Sequence, residues 1–172
     1  MRTLLFFLLL IPGLCFSQTT YVFIKLTDAR GIQINGDATT KGFEKTIRAL
    51  TTSSSGKNNT QFTFTMPVTD AGATLKKALD RGELLLNAKV SVMTAFGSTG
   101  VLLPSYTITM EGIRLAACTE SMGCNAQMTT SVILNATRIG WTYYSADKSG
   151  TNVVVSQKYG YDTGTGMAWN NF

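Results

Sequence analysis

The sequence predicts a mainly β domain flanked by one short helix, and three observations carry that reading. Several segments alternate apolar and polar residues with a period of two, above all "QFTFTM" at residues 61–66. Only one stretch, from Asp70 to Arg81, spaces its apolar residues as a helix does. Glycines and small polar clusters break the strand-like runs at short intervals.

The first residues stand apart from that domain. Arg2 supplies a positive charge, residues 4–11 are unbroken aliphatic and Phe, and Pro12-Gly13 ends the run. Cys15 and Ser17 are small residues placed for a cut before Gln18. This is the layout of a secretory signal peptide over residues 1–17. The apolar run falls short of the roughly 20 residues that cross a hydrocarbon core, so a removed leader is expected rather than an anchor. No later segment reaches that length, so no stable membrane span is expected. Residues 18–172 show no repeat and no linker and read as a single domain. The expected location is periplasmic or extracellular.

The first strand is "YVFIKL", residues 21–26, rich in β-branched and aromatic residues. Turn signals follow at Gly31, Asn35-Gly36 and Gly42, and residues 43–51 read as the second strand. Residues 51–60, "TTSSSGKNNT", are small, polar and without period, which is a loop composition. In the next strand Phe62, Phe64 and Met66 share one face, and Pro67 ends it. Thr69 or Asp70 is placed to cap the helix, whose apolar face is Ala71, Leu75, Ala78 and Leu79. Gly82 supplies the stop.

Three longer strand regions follow. Ala88, Val90, Val92, Thr94 and Phe96 alternate with polar neighbours. Tyr106, Ile108 and Met110 share a face, but beyond Gly112 the apolar residues move to Ile113, Leu115 and Ala117, which predicts a β-bulge at the glycine. Val132 and Leu134 give way to Ile139, Trp141 and Tyr143, which predicts a second bend near residues 135–138. Long strands that bend in mid-course are what a small closed or nearly closed barrel needs. "NVVVSQKYGYD" is the last strand.

The chemistry is sparse. Histidine is absent, with 15 Lys and Arg against 10 Asp and Glu. That removes the commonest general base, the Ser-His-Asp arrangement and most zinc sites. The bases are scattered, with Lys76-Lys77 the only adjacent pair, so nucleic acid is not an expected partner. No phosphate-binding glycine loop occurs, and the glycines of "GTGMAW" at residues 164–169 read as turn residues. Asp28, Asp37, Asp70 and Asp80 sit at turns or caps, where Asp is ordinary. No catalytic constellation stands out, and no enzyme, cofactor or metal is expected. Once Cys15 leaves with the leader, Cys118 and Cys124 remain, separated by "TESMG". In an oxidising compartment they are expected to form a structural disulfide across the mouth of a hairpin, the alternative being two free thiols.

The pieces also match something in their order. "FIKLTDARGIQ", "TIRALT", a Ser/Gly loop, "FTFTMPVTDAGATLKKALDRGELLLNAKVSV", "YTITMEGIRLAACTES" and "QKYGYD" follow one another from about Val22 to Trp169. In this the chain resembles the Hcp family, the hemolysin-coregulated tube protein of type VI secretion. The resemblance implies a two-sheet β-barrel with one flanking helix. It implies self-association into hexameric rings that stack into a tube and can hold effector or other protein cargo, with no catalysis. It also makes Ser53, Ser54, Ser55, Gly56 and Lys57 the expected ring-to-ring contact loop. Lys89 and Ser91 are left to line the channel or meet a neighbour. The leader and the cysteine pair depart from the family pattern, and both point to use outside the cytoplasm.

Two other readings compete. The same barrel can serve as a secreted monomeric module that binds a glycan or a protein, through the aromatics around Trp141, Tyr143, Tyr144, Tyr159, Tyr161 and Trp169. Core and interface packing is the favoured reading of those rings. A carboxylate hydrolase rests only on carboxylates being present.

Overall fold

The computed structural model describes residues 19–55, 60–96, 101–122, 127–146 and 153–172. In chain order the elements are β1 (Thr20–Thr27), β2 (Gln33–Ile34), β3 (Ile47–Ala49), β4 (Thr51–Ser54), β5 (Gln61–Pro67), α1 (Asp70–Asp80), β6 (Leu84–Phe96), β7 (Val101–Met122), β8 (Met128–Ala146), β9 (Val153–Asp162) and β10 (Met167–Ala168). The predicted leader, residues 1–17, lies outside the described residues.

The strands form one antiparallel sheet of ten, not two sheets, and its ladder is not closed. The main path runs β10-β9-β8-β7-β6-β1-β2, with β3 on β1, and β5, carrying β4, on β8. The lengths of β7 and β8 explain why one sheet suffices. β8 pairs with β5 over its first half, from Thr129 to Asn135, and with β9 over its second, from Arg138 to Ala146. One strand thereby serves both ends of the molecule. The expected barrel is met only in part: at Leu50 the chain leaves the β1 edge for the β5 edge, where the Leu50 amide donates to Thr65 O at 2.8 Å.

One face of this curled sheet holds the main core. Phe62, Phe64 and Met66 on β5 are fully buried, as their alternation requires. Each such side chain is worth roughly 1.5–3 kcal/mol of transfer free energy. Along β6, β7 and β8 the buried face switches sides at a shared level. Ala88, Met110 and Ile139 are buried above it, and Leu85, Ile113 and Ala136 below it. The predicted bulge at Gly112 is not what makes this switch. Glu111 faces Arg138 and Ile113 faces Ala136, so the register runs unbroken past the glycine. Gly112 instead takes φ 59°, a left-handed backbone that other residues rarely adopt. The bend expected near residues 135–138 is its partner, for the Thr137 hydroxyl donates to Gly112 O at 3.0 Å. The register shifts fall elsewhere, at Val92/Met93, Leu115/Ala117 and Tyr143/Tyr144.

Helix α1 lies against β7 and buries Ala71, Gly72, Leu75 and Ala78. Thr69 is its N-cap, but neither the Thr69 nor the Asp70 side chain makes the expected cap; the Thr69 carbonyl accepts from Gly72 N at 2.9 Å. The stop at Gly82 is as expected. Its φ is 62°, and the amides of Gly82 and Glu83 donate to Leu79 O and Ala78 O, both at 2.9 Å.

The strand expected over residues 43–51 is reduced to Ile47–Ala49 plus the start of β4. Residues 43–46 make a turn instead, with Phe43 O accepting from the Thr46 amide at 3.1 Å. The apolar side chain explains this use of the segment. Phe43 stacks on Phe23 at 4.4 Å and covers a second small core of Phe23, Ala38 and Met93 on the outward face of the sheet.

Candidate functional site

No group of three or more Cys, Asp or Glu side chains converges as a metal site among the described residues. Several of the acids are engaged locally. Asp28 Oδ2 accepts from Arg30 at 2.8 and 3.1 Å, and Asp162 Oδ2 accepts from Arg138 Nε at 2.8 Å. Hydrogen bonds from those guanidinium groups hold both carboxyls below their ordinary values. Glu44 is lowered too, by backbone amides. A general acid at neutral pH needs the opposite displacement. These ion pairs pin turns: Asp162 Oδ1 also accepts from the amides of Gly164 and Thr165, which organises the turn from β9 to β10 and accounts for the "GTGMAW" glycines.

The conspicuous surface is apolar and lies along β9. β10 pairs only with Tyr161 and Asp162, and the Trp169 amide donates to Gly160 O. The rest of that edge of β9 makes no ladder among the described residues. It presents Val154 and Val155 at 56 and 57 % exposure. Beside them the inward face opens onto a ladder of rings. Tyr106 lies 5.7 Å from Tyr143, Tyr143 lies 6.1 Å from Tyr159, and Tyr159 stacks on Trp141 at 5.0 Å. A hydrogen bond with Tyr143 pushes the Tyr159 phenol up to about 12. A cavity of about 380 Å³ lined by Trp141, Tyr159, Gly160, Tyr161, Gly166 and Ala168 adjoins the stack.

The aromatics the sequence singled out therefore divide. Trp141 and Trp169 are buried and give no platform for a glycan, whereas Tyr159 is exposed at the edge. Packing is their main use, as favoured. Trp169 and Phe172 form a second pair, with ring centroids 4.8 Å apart. Phe172 lies on the outward face over Gly140 and Gly160, which are themselves paired across β8 and β9. The sequence reading missed this notch. Its signal was two glycines inside strand patterns, which often mark close approach of another group.

Of the predicted contact loop, Ser53 and Ser54 belong to β4, paired with Thr63 and Phe62. Ser55 continues the hairpin, its amide donating to Gln61 O at 3.1 Å. The loop composition hid this strand because Thr and Ser pair as readily on a hairpin rim as they line a loop. Gly56 and Lys57 lie outside the described residues.

Cys118 is buried on β7, its thiol directed at Gly72 O at 3.9 Å, and burial pushes its pKa up. Cys124 lies outside the described residues. Cys118 faces Val132, while the hairpin mouth is the pair Met122 and Met128. Along a strand that is roughly 13 Å away, at 3.3–3.4 Å per residue. Lys89 and Ser91 both point outward, Lys89 exposed and Ser91 buried.

Comparison with known proteins agrees with this architecture. Residues 23–143 match the family model described as "Type VI secretion system effector, Hcp". No curated protein matches the chain. Among solved structures, Hcp1 from Salmonella typhimurium superposes with a TM-score of 0.70 at 17% identity, covering 87% of this chain and 99% of that one. A type six secretion system protein gives 0.73 at 15% identity, covering 88% and 100%. The secreted protein Hcp3 from Pseudomonas aeruginosa gives 0.64 at 17% identity, covering 84% and 98%. At such identities the structures speak for the fold alone, and the family model speaks for descent. The chain belongs to the Hcp family of type VI secretion system effectors, as a tube-like structural protein.

Proposed function

We propose that this chain is an exported, non-catalytic subunit that joins copies of itself into hexameric rings, which stack and can carry an effector or other protein cargo. Family membership supports the reading, and the single observation that carries it is the edge of β9, which beyond Tyr161 pairs with no other strand among the described residues. Such an edge bearing exposed Val154 and Val155 is a template for another chain. A second copy that covers it removes apolar surface from water and satisfies the edge amides and carbonyls at once. Ser53, Ser54, Ser55, Gly56 and Lys57 make the ring-to-ring contact, since small polar side chains can order against a partner without exposing apolar surface beforehand.

Purified mature protein is expected to give ring-shaped particles by electron microscopy. A strictly monomeric species across a wide concentration range would overturn the proposal. The V154E/V155E pair is expected to leave a folded protomer that no longer assembles.

Residues 1–17 act as a leader in this reading, and the mature chain works in the periplasm or outside the cell. Cell fractionation with N-terminal sequencing tests it. A start at Gln18 supports export, and an intact Met1 in the cytoplasm overturns it. The Cys118–Cys124 disulfide goes with export. Thiol titration of the unfolded mature chain is expected to find both cysteines only after reduction. Free thiols before reduction would exclude the bridge.

A further inference from the structure

The outward face of the sheet carries a charge arrangement that the tube reading does not use. Lys25 on β1 and Lys89 on β6 are directly opposite each other, and both are exposed. Side chains so placed start about 5 Å apart, where like charges repel. Among the described residues neither lysine has an acidic partner. Arg48 shares the face, opposite Phe23, with its guanidinium 5.6 Å over the Tyr21 ring and no ion pair among the described residues. The strand acids on this face, Glu111 and Asp162, are both held by Arg138, at 3.3 and 2.8 Å. Asp37 is the carboxylate near Arg48, accepting from its amide at 3.3 Å, which leaves Lys25 and Lys89 without an ion pair among the described residues.

The row of strand positions beside the lysines is hydroxylated. Ser91, Thr107 and Thr142 stand side by side across β6, β7 and β8, each largely buried, with the Tyr144 hydroxyl 3.5 Å from that of Thr107 and Lys158 opposite Thr142. The row is bordered on one side by Phe43 over Phe23 and on the other by Phe172 over Gly140. Alternate side chains of an extended peptide repeat every 7 Å or so, so carboxylates on one side of such a segment can reach neighbouring lysines.

We propose that this face, centred on Lys25 and Lys89, docks an acidic, extended polypeptide segment. A single-stranded nucleic acid fits it less well, because such strands are held by exposed rings on which bases stack. The rings here are engaged: Tyr21 lies under Arg48, Phe23 stacks with Phe43, and Phe172 lies under the Lys158 ammonium at 4.2 Å. The proposal does not depend on ring formation.

The test is fluorescence anisotropy of labelled poly-L-glutamate with the mature protein at low and high salt. Binding is expected, weakening with salt, and K25E/K89E is expected to lower the affinity about tenfold or more. The neutral pair K25Q/K89Q is expected to fall between. K76E/K77E, which removes equal charge from the exposed face of α1, is expected to change it little. Absence of binding, an unchanged affinity in K25E/K89E, or an equal loss in K76E/K77E would overturn the proposal. So would tighter binding of a single-stranded oligonucleotide of equal charge. Light scattering on each variant reads assembly separately, so a failure of the ring reading shows as a change of mass and not of anisotropy. Far-UV circular dichroism confirms that each variant folds.

Discussion

Phe172 lies so close to Gly140 that a Cβ on the glycine would stand 2.5 Å from the ring. Gly160 is tighter in a different way, since its Cβ would meet the backbone oxygen of Trp169 at 2.5 Å. A ring can swing aside, but a backbone that donates its own amide to Gly160 O cannot move freely. Gly140→Ala is therefore expected to cost about 1 kcal/mol through lost Phe172 packing, and Gly160→Ala about 2–3 kcal/mol. Urea unfolding of both variants and of Phe172→Ala checks the order. Phe172→Ala should remove most of the Gly140→Ala penalty and little of the Gly160→Ala penalty.

Gly112 combines a left-handed φ with close approach, its Cβ position lying 2.8 Å from Thr137 Oγ1. Gly112→Ala is expected to destabilise by roughly 1–3 kcal/mol. Thr137→Ala should cost less and should relieve part of the double variant, which a double-mutant cycle by denaturant titration measures.

Asp162 gives stability a dependence on acid. Its folded pKa is lowered, first by the hydrogen bond from Arg138, so its contribution is fully present above the ordinary carboxylate value of 3.8 and is lost as pH falls through the folded value. Asp162→Asn is expected to flatten the stability profile below about pH 4. Thermal melts of both proteins between neutral pH and that range check it. An equal acid slope in the two would remove Asp162 from the account.

Tyr159 acts at the other end of the scale. Its folded pKa stands at about 12 against an ordinary 10.0, so its share of stability is complete below pH 10 and is lost as pH rises toward 12. Tyr143→Phe removes the hydrogen bond that heads the causes. It is expected to bring the Tyr159 phenol back toward its ordinary value, read by ultraviolet titration of phenolate.

The strands were legible where one face is buried and the other wet. In β5 the burial of Phe62, Phe64 and Met66 repeats the alternation of the sequence, and in α1 Ala71, Leu75 and Ala78 repeat the helical spacing. The side switch at Gly112 was legible as well, but its cause was not. Local pattern records only that the buried face changes. Whether an extra residue or a left-handed glycine changes it depends on the register with β6 and β8, which are remote in sequence. β4 was hidden for a related reason: its Thr and Ser residues owe their strand to pairing with β5, not to a pattern of their own.

By itself the sequence determined the period-two strands, the one helix with its glycine stop, the absence of histidine chemistry and the ordered resemblance to the Hcp family. All are local properties or their order along the chain. Tertiary structure alone decided that the strands join into one unclosed sheet, that the edge of β9 beside Tyr159 pairs with no strand among the described residues, and that Trp141 and Trp169 are buried. It alone set Lys25 against Lys89, two residues on strands separated by five other elements. The physical reason is common to these cases. Edges, burial and cross-strand neighbours are set by pairing between distant segments, and a strand's own pattern says which face turns inward but not which strand lies beside it.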